Sequence, residues 1–496
     1  MSKKVIIIGS GVSGLVAGIY ARLGGLDVEL FESHSVAGGN CTGWNRKGFH
    51  IDGCIQWLTG TKNGTGVNKI WRTCGALVDE SQVYNTEQIA STIYEGKTYH
   101  LYSDLNKIEK EFLAISPEDA VAIRKLVKNI RIFQNLNAPV DKPFEQMSLF
   151  HFIPLLWNLI VSGKPDKRTK SMTIGEYLED FKSPIIRQLL FCVFPIVLPA
   201  YALFYNLGIR TSGDGGWPVG GSLAFIKRMR QRFEELGGRI YLSAAVDKII
   251  IKDDTAVGVK LKNDGREVYA DYIISAVDIS VLLNRLLDGK YSDEYFETRY
   301  ADTQNYMILT GTYVSLGVSS DLEKYPHNVY IQTKNSLYIN NTEIKAFNIK
   351  LYNFDSKFVQ NGKTVITVLL TENEFDFWMA LKERSIEEYR AEKERIANWI
   401  KENVLTVFPE LESKLEILDV ATPLTYHKYC NSYRGTYMSF IPSGKVKMKF
   451  HKGMIKGIEN LYLAGQWTIP VGGLPLAAIS GKFAVQRILT AEKKSQ

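Results

Sequence analysis

The sequence predicts an α/β protein built around a doubly wound parallel sheet. Three observations support this fold class: a strand–helix–strand pattern at the N-terminus, four short glycine clusters spread over the chain, and a length of 496 residues with 45% hydrophobic content. At about 150 residues per domain, this length corresponds to two or three domains, and the hydrophobic content is sufficient for a large core. A disordered chain and a minimal single module are therefore excluded.

The charge and the cysteine content restrict the partners and the compartment. The 60 Lys and Arg residues against 53 Asp and Glu residues give a net charge of +7, which is mild for a chain of this size. We therefore expect no nucleic-acid partner. The five cysteines are odd in number and form no CxxC pair, which favours a cytoplasmic location. An apolar run near the N-terminus imitates a secretion signal, but glycines interrupt it.

The first thirty residues predict one βαβ unit. The β-branched run 5–8 is typical of a strand buried on both faces of a parallel sheet. Apolar residues then recur at helical spacing from Leu15 to Leu23, and the pair Gly24-Gly25 can end that helix. Residues 27–31 predict the second strand, which ends directly before Glu32.

The glycines between the first strand and the helix predict a phosphate-binding turn. Gly9 allows a tight turn, Gly11 lets a pyrophosphate approach the backbone, and Gly14 allows close packing of the helix on the strand. Val12 and Ser13 open the helix, whose free amides and positive dipole end would hold the phosphates. The alternative is a glycine-rich turn without a ligand, which the strand, helix and second strand together disfavour.

Glu32 and a second glycine cluster extend the nucleotide prediction. Glu32 lies 18 residues after Gly14, where a carboxylate would accept hydrogen bonds from ribose hydroxyls. Gly38, Gly39 and Asn40 follow shortly afterwards, and a simple NAD-binding fold does not require such a pair of glycines. The N-terminal region therefore predicts a dinucleotide other than a plain nicotinamide cofactor.

Two later glycine clusters, at 213–221 and 460–475, add to the N-terminal motifs. With all of these motifs, the chain resembles flavoprotein oxidoreductases of the glutathione-reductase-like superfamily. More narrowly, it resembles the phytoene desaturase, carotenoid isomerase and retinol saturase group, and the resemblance spans nearly the whole chain. It implies FAD as the tightly held cofactor, with NAD(P)H at most a transient electron donor, because no second GxGxxG follows a strand. It also implies further contacts with the adenine and flavin ends of FAD at Val246, Gly465, Gln466, Gly472, Gly473 and Leu474, with a helix starting at about residue 476.

Two positions depart from the pattern of the superfamily. Asn40 stands where relatives of amine-oxidase or bacterial desaturase character usually have arginine, and Gln466 stands where an acidic or small residue is common. Both departures point away from the amine oxidases and leave the subgroup open.

The resemblance also implies two interleaved domains. A Rossmann-like FAD-binding domain would comprise 1–75, 206–285 and 421–496, and an α+β substrate domain would comprise 76–205 and 286–420. The residues in between agree with such a layout, since 258–271 predicts a β-hairpin around Asn263-Asp264-Gly265. A second sheet is predicted from strands near 313–316, 329–331, 344–351 and 364–370, with a charged helix at 385–404.

Two apolar segments leave three interpretations open. Residues 149–161 precede the cations Lys164, Lys167, Arg168 and Lys170, and residues 185–205 are strongly apolar but contain two prolines that disfavour a membrane span. The segments can be ordinary helical core, walls of a tunnel for a hydrophobic substrate, or a surface that enters one membrane leaflet.

A basic strip precedes the last predicted strand. Its lysines, Lys445, Lys447, Lys449, Lys452 and Lys456, surround Met448 and Phe450. An edge strand protected by charge is the first interpretation, and a membrane-facing patch or an approach for an anionic cofactor are the alternatives.

The catalytic residues are the least defined part of the sequence. A bound flavin would perform the difficult chemistry, and the chain has no HExxH, no GxSxG and no clustered metal ligands, so no metal is expected. His427, Tyr433 and Arg434 lie shortly before the flavin-closing strand and Gln56 follows an Asp-Gly pair. Each of these is a candidate for proton exchange or substrate binding, with a purely structural role as the alternative.

The resulting hypothesis is an FAD-dependent oxidoreductase that desaturates, saturates or isomerises a hydrophobic polyene, isoprenoid or related lipid. One alternative is a flavin-dependent isomerase or hydratase without net redox turnover. Another is a prenyl-carrier or escort protein that shares the fold without the cofactor. We expect a hydrophobic small molecule as partner and a cytoplasmic protein with peripheral membrane contact, while the sequence makes no prediction of the oligomeric state.

Overall fold

The computed structural model describes residues 2–134, 140–148, 153, 166–320, 322–359, 362–443 and 445–495. Its centre is a sheet of five parallel strands, which confirms the predicted α/β class. Across the sheet, the strands run in the order Arg239–Tyr241, Asp27–Phe31, Lys4–Ile8, Tyr272–Ser275 and Leu461–Leu463. Two of the four strand pairs, Arg239–Tyr241 with Asp27–Phe31 and Lys4–Ile8 with Tyr272–Ser275, join parts of the chain that are more than 200 residues apart. The predicted domain boundaries stay a prediction.

The parallel sheet is covered on both faces. Val5 and Ile7 face a core that also contains side chains of three helices, Val12–Leu23, Gly221–Glu235 and Leu474–Ser495. Ile6 and Ile8 face the opposite core, which a three-stranded antiparallel sheet and the segment 279–287 complete. A strand buried on both faces needs a continuous apolar run, which is why the sequence pattern at 5–8 predicted it correctly.

The second sheet has seven strands and is mainly antiparallel. Its order is Leu415–Ala421, Thr310–Val318, Thr364–Glu372, Thr342–Leu351, Asn328–Ile339, Gln88–Tyr94 and Lys97–Tyr102. Only the pair formed by the fifth and sixth of these strands is parallel. The four strands predicted for this sheet are present, and the three others were not predicted from the sequence.

Helices pack against both parts of the second sheet. Helices Phe375–Arg384 and Ile386–Val407 share one core with it, so the charged helix predicted at 385–404 is confirmed. A separate core joins the strands at 88–102 to a helical region. This region consists of Leu105–Ile115, Ala120–Gln134, Ile174–Leu178, Pro184–Phe191 and Ala200–Thr211.

The remaining elements are short and connect the two sheets. Three further helices are Gly66–Thr73, Glu294–Ala301 and Pro423–Cys430. Small strand pairings join Gly43–Arg46 to Phe49–Asp52, Leu58–Thr59 and Val83–Tyr84 to Gly215–Pro218, and Tyr306–Met307 to Ile441–Pro442. The three-stranded antiparallel sheet that covers one face of the parallel sheet consists of Val246–Lys252, Thr255–Leu261 and Glu267–Tyr269. The predicted hairpin lies between the last two of these strands.

The apolar segment 185–205 is mostly core. It forms the end of one helix and the start of the next, with Pro195 and Pro199 between them, and Leu189, Leu203 and Phe204 are fully buried. The helical-core interpretation therefore holds for most of its side chains. Over the part of the chain that the structure describes, no helix is both long enough and apolar enough to cross a membrane. Apart from Ile153, the segment 149–161 and Lys164 lie outside the described residues.

The basic strip does not form an edge strand, so that prediction is wrong. Residues 447–452 have no regular secondary structure. Instead, individual side chains of the strip pack against other elements: the Phe450 ring stacks on Phe144 with ring centroids 4.4 Å apart, and His451 Nε2 lies 3.0 Å from Asp293 Oδ2. Phe450 and His451 therefore attach the segment to other elements, whereas Met448 is exposed.

Candidate cofactor site

The turn after the first strand has the geometry that its glycines predicted. Gly9 adopts a positive φ of 97°, and its N–H donates to the carbonyl oxygen of Phe31 at 2.8 Å. A Cβ atom on Gly14 would lie 2.0 Å from the carbonyl oxygen of Gly9. Gly14 therefore brings the helix into direct contact with the turn, and any side chain there would push the two apart.

Other glycines leave open space that side chains would fill. A Cβ on Gly11 would have the Gly38 carbonyl oxygen, 3.9 Å away, as its nearest neighbour, and a Cβ on Gly465 would meet no atom within 4 Å. A Cβ on Gly473 would be 4.0 Å from its nearest atom, Pro475 Cδ. These glycines surround one cavity and keep its wall at the level of the backbone.

The cavity has a volume of about 540 Å³, within the range of small-molecule and cofactor sites. Every residue predicted to bind the cofactor lines it except Gly14 and Gly472, which lie behind the wall. The lining residues from that set are Gly9, Gly11, Val12, Ser13, Glu32, Gly38, Gly39, Asn40, Val246, Gly465, Gln466, Gly473 and Leu474. The structure thus brings together positions that are more than 400 residues apart.

Glu32 is fixed by donors from its own neighbourhood. Its Oε2 accepts hydrogen bonds from Ser10 N at 2.8 Å and Ser10 Oγ at 2.7 Å, and its Oε1 accepts one from His34 N at 2.8 Å. A fourth hydrogen bond, from Ser33 Oγ at 3.2 Å, also reaches Oε1. A carboxylate has about four acceptor positions, so these bonds orient the group, and a ligand hydroxyl would take the place of the long Ser33 contact. Ala244 N donates to the Glu32 carbonyl oxygen at 2.8 Å, which places the start of the strand at Val246 beside this end of the cavity.

The C-terminal part of the wall is held by Gln466. Its Oε1 accepts a hydrogen bond from Gly473 N at 3.0 Å, and a Cβ on Gly472 would lie 2.8 Å from the same oxygen. Gln466 therefore positions the glycine turn that precedes the last helix. That helix begins at Leu474, two residues earlier than predicted.

Two features of the wall fit an anionic dinucleotide. The helix Val12–Leu23 begins at Gly11 without a side-chain cap, so its first amides and its positive dipole end are available to phosphate groups. Asn40 Oδ1 is buried and has no hydrogen-bond partner among the described residues. A buried acceptor of this kind requires a donor, which a ribityl hydroxyl or a flavin N–H would supply. With the bare glycine cradle, these features fit FAD.

The candidate catalytic residues do not line the cavity. His427 is exposed, and its Nδ1–H donates to the Ser432 carbonyl oxygen at 3.1 Å. The guanidinium of Arg434 forms an ion pair with Asp376 at 2.6 Å, the side chain of Gln56 is exposed, and Tyr433 packs its ring against Tyr300.

The helix Pro423–Cys430 contributes to the site through a different face. Tyr426, Tyr429 and Cys430, spaced by three and four residues, line the cavity together with Thr425, whereas His427 points elsewhere. Residues at these spacings share one side of a helix. Burial raises the pKa of Cys430 to about 12 and raises the pKa of Tyr426 as well, so both side chains are neutral near pH 7. Helical periodicity groups Tyr426, Tyr429 and Cys430 on one face, but it does not show that this face borders the cavity.

The outer wall contains a polar contact that carried no sequence signal. Trp44 Nε1 donates to Asp419 Oδ2 at 2.8 Å, and Arg46 Nε lies 3.4 Å from the same oxygen. All three residues line the cavity. The contact joins the hairpin Gly43–Asp52 to the strand Leu415–Ala421 across 375 residues of sequence.

Metal chemistry has no support in the described ranges, which contain no cluster of three or more His, Cys, Asp or Glu side chains placed to hold a metal ion.

The sequence comparison decides the family. A model of the flavin-containing amine oxidoreductases matches residues 12–489. The chain belongs to this family. The protein is therefore an FAD-dependent oxidoreductase, which confirms the cofactor and the class of enzyme predicted from the glycine clusters and the resemblance.

Within the family, curated relatives come from the predicted subgroup. Prolycopene isomerase of Daucus carota is 25% identical over 99% of this chain and 81% of its own. All-trans-retinol 13,14-reductase of Danio rerio is 25% identical over 93% of this chain and 82% of its own. A 4,4'-diapophytoene desaturase of Methylomonas sp. is 23% identical over 98% and 96%, respectively. The resemblance to the phytoene desaturase group is thereby confirmed.

Solved structures of the family share the fold. An oxidoreductase from Methanosarcina mazei has a TM-score of 0.62 at 16% identity, covering 98% of this chain and all of that one. Cyclohexylamine oxidase from Brevibacterium oxydans has a TM-score of 0.57 at 15% identity, covering 99% and 100%.

Proposed function

We propose that this flavoenzyme desaturates, saturates or isomerises carbon–carbon double bonds in a hydrophobic polyene or related isoprenoid lipid. The observation that carries the proposal is a single cavity in which the glycine cradle for FAD continues into an apolar and aromatic outer wall. Relatives named for prolycopene, retinol and diapophytoene support the substrate class.

The wall beside the cradle is suited to a hydrocarbon. The side chains of Tyr426 and Cys430 are neutral, and Ala421 and Ala477 add apolar surface. A charged group would have to be desolvated when a polyene enters, whereas neutral side chains avoid that cost. The ionic pair of Arg46 and Asp419 stays at the partly exposed rim, where the Arg46 side chain is 51% accessible to solvent.

Each part of the chain then has a defined task in the reaction. Bound FAD supplies hydride transfer at its N5 atom. The amides at Gly11 to Ser13 and the carboxylate of Glu32 hold the cofactor, and Gln466 fixes the turn that contacts it. The aromatic side chains of Tyr426 and Tyr429 position the polyene and exclude water. No ionised acid or base next to the substrate is required for this division of tasks.

Turnover of defined polyenes tests the proposal. The holoprotein, once with oxidised flavin and once after anaerobic reduction with dithionite, is incubated with a poly-cis C40 carotene, an acyclic C30 carotene and all-trans-retinol, while polyene absorbance and flavin redox state are recorded. Added double bonds shift the polyene spectrum to longer wavelength, lost double bonds shift it to shorter wavelength, and isomerisation leaves the flavin unchanged after turnover. FAD-loaded protein that converts none of the three contradicts the proposed substrate class.

The same experiment separates the redox interpretation from the alternative of a lipid isomerase or hydratase. Stoichiometric reduction or oxidation of flavin per product supports redox turnover. Product formed without net flavin oxidation, with incorporation of deuterium from solvent, supports the alternative.

We also propose NAD(P)H as a transient electron donor rather than a bound cofactor. Its support is the absence of a second GxGxxG turn in the sequence. Anaerobic mixing with NADH or NADPH is expected to bleach the flavin without stable nucleotide binding. Bleaching by dithionite but by neither nucleotide would contradict this assignment.

Peripheral membrane contact is a further part of the proposal. Ile196 and Val197 are 38% and 46% exposed, and Gly175 N donates to the Ile196 carbonyl oxygen at 2.9 Å. The segment that contains Ile196 and Val197 therefore lies beside Gly175, five residues after the last of the cations at 167–170. Exposed aliphatic residues close to cations are typical of contact with an anionic lipid surface.

Vesicle binding tests this contact. Changing Lys164, Lys167, Arg168 and Lys170 to Gln is expected to weaken binding to phosphatidylglycerol vesicles several-fold. The matched control changes four exposed lysines elsewhere, Lys252, Lys260, Lys262 and Lys290, to Gln. Equal binding by both variants would show that the basic cluster does not contact the membrane.

A further inference from the structure

Two cysteines occupy facing positions in the wall of the FAD cavity. The strands Gly43–Arg46 and Phe49–Asp52 form an antiparallel hairpin in which Gly43 pairs with Asp52. Gly53 N donates to the Thr42 carbonyl oxygen at 2.9 Å, so the pairing continues one residue beyond the strands. The next facing pair is Cys41 with Cys54.

The register places the two cysteines where cross-strand side chains are closest. Thr42 and Gly53 form the hydrogen-bonded pair, so Cys41 and Cys54 occupy the adjacent, non-hydrogen-bonded position. Facing residues there have Cα atoms about 4.5 Å apart and project from the same face. This separation is within the range that a disulfide spans. The Cys54 thiol is the largest cause of the raised pKa of Cys41, which agrees with this proximity, and both residues line the cavity.

The other thiols do not share this arrangement. Cys74 and Cys192 are buried in two separate hydrophobic cores. Cys430 also lines the cavity, but it belongs to the helix Pro423–Cys430 rather than to the hairpin. Because Cys41 and Cys54 are thirteen residues apart in the sequence, no CxxC-type spacing announces the pair.

We propose that Cys41 and Cys54 form a reversible thiol–disulfide couple in the wall of the cofactor cavity. This is a redox modification site that the polyene chemistry does not use. The oxidant is a low-molecular-weight disulfide such as oxidised glutathione. The Cys54 thiolate attacks one sulfur of that disulfide and releases one small thiolate, which takes a proton from solvent. Cys41 then passes its proton to the second leaving sulfur as it attacks the Cys54 sulfur, and the second small thiol is released. Two protein thiols are oxidised and one small disulfide is reduced to two thiols.

The surroundings fix the order of the two steps. Cys41 is 1% exposed, and the Cys54 thiol together with burial raises its pKa, so it stays protonated in the reduced protein. Cys54 is partly exposed and is therefore the thiol that meets the oxidant first. Once Cys54 is in a mixed disulfide, its thiol no longer raises the pKa of Cys41, which is already in place to resolve the adduct.

The couple is connected to the cofactor cradle. Cys41 N donates to the Gly38 carbonyl oxygen at 3.0 Å, which closes the turn that contains Gly38 and Gly39. Asp52 Oδ1 accepts hydrogen bonds from Cys54 N at 3.0 Å and Ile55 N at 2.9 Å on the other side. A disulfide would therefore tie the paired-glycine turn covalently to the Asp52 loop.

Redox titration of the full-length protein tests the inference. The protein is equilibrated in glutathione buffers of decreasing reduced-to-oxidised ratio, alkylated, digested and analysed by mass spectrometry. We expect a disulfide between Cys41 and Cys54, with Cys74 and Cys192 still reduced, and a higher melting temperature for the oxidised form. Cys430→Ser is the matched control and keeps the disulfide.

Single variants separate the two thiols. Cys41→Ser is expected to accumulate one stable glutathione adduct on Cys54, because the resolving thiol is missing, whereas Cys54→Ser forms neither the adduct nor the disulfide. The experiment on the wild-type protein needs no variant to fold. A disulfide between Cys54 and Cys430, a stable adduct on the wild-type protein, or no oxidation in any buffer would overturn the inference. Loss of flavin or of polyene turnover would not affect it.

Discussion

At the residue scale, two glycines of the same turn have different tasks. Gly14 is needed for packing, because a Cβ there would lie 2.0 Å from the Gly9 carbonyl oxygen. Gly11 has an extended backbone conformation that any residue adopts, and only the cavity lies in front of it. Gly14 is therefore needed for the fold, and Gly11 is assigned to the cofactor site.

This difference predicts opposite outcomes for two substitutions. Gly11→Val is expected to keep the fold and the melting temperature of the apoprotein, while its FAD affinity falls at least about 100-fold because the side chain occupies the phosphate position. Gly14→Ala is expected to lower the free energy of unfolding by about 2 kcal/mol or more through the steric clash. Circular dichroism, thermal melting and FAD titration measure these effects. A yellow, FAD-saturated Gly11→Val protein would contradict the assignment.

Single residues also show where the sequence was informative. The positions of Gly9, Gly11 and Gly14 followed from spacing, because each turn conformation or close approach leaves little choice of residue. Those of Gly465, Gly472 and Gly473 followed from the family resemblance. The positions of His427, Tyr433, Arg434 and Gln56 did not, because a polar side chain near a motif gives no information on the direction in which it projects. None of these four side chains lines the cavity, although His427 and Tyr433 bond to Ser432 and Asp278, which do.

At the element scale, Asp52 connects the Cys54 loop to the helix Gly221–Glu235. Its Oδ2 accepts a hydrogen bond from Ser222 N at 2.6 Å, and its Oδ1 accepts one from Ser222 Oγ at 2.8 Å as well as those from Cys54 N and Ile55 N. The carboxylate lies at the positive end of the helix dipole, and it is fully buried. One carboxylate therefore accepts hydrogen bonds from backbone amides of both the helix and the Cys54 loop.

Removing this carboxylate is expected to destabilise the protein strongly. Asp52→Ala leaves the amides of Ser222 and Cys54 without this acceptor, whereas Ile55 N keeps Ser222 Oγ at 3.1 Å, and it should lower the free energy of unfolding by about 3 kcal/mol or more. Ser222→Ala removes one hydroxyl and keeps the backbone contact, so its cost should be about 1 kcal/mol. Urea denaturation of both variants makes the comparison. Equal losses for the two would show that Asp52 does not act as the anchor.

The helix Pro423–Cys430 shows how far sequence analysis extends at this scale. Its position before the flavin-closing strand followed from the resemblance, but the face that it presents depends on how it docks against its neighbours. Tyr426, Tyr429 and Cys430 share that face by helical periodicity, which a sequence pattern alone cannot orient toward a cavity.

At the scale of the whole molecule, the chain assembles its site from distant segments. The strand Lys4–Ile8 pairs on one side with the strand Tyr272–Ser275, and the latter pairs with Leu461–Leu463. Buried apolar runs made these strands predictable. The strands Gln88–Tyr94 and Lys97–Tyr102 were not predicted, since they have several polar residues and gain their burial only from the sheet and helices around them.

The stability of the folded protein is also expected to depend on pH through Lys350. Burial lowers the pKa of Lys350 from 10.5 to about 7; the carboxylates of Asp52 and Asp355 oppose the shift and Arg210 adds to it. Between these two pH values the unfolded chain binds more protons at this position than the folded one. The Lys350 contribution to stability therefore rises with pH in that window, by at most about 1.4 kcal/mol per pH unit.

Comparison with Lys350→Met isolates this effect. The free energy of unfolding of the wild type minus that of the variant is expected to increase from pH 7 to pH 10.5 and to be flat below pH 7. Denaturant titrations at several pH values measure it. A difference that does not change with pH would mean that the folded and unfolded chains bind this proton equally.

The central claim is that glycine clusters from distant parts of the chain build one FAD site. The most direct measurement is the flavin content of the purified full-length protein, by absorbance and by mass spectrometry of the released cofactor, followed by titration of any apoprotein with FAD. We expect yellow protein that saturates at one FAD per chain. A stable, correctly folded and colourless protein that binds no added FAD would contradict the account.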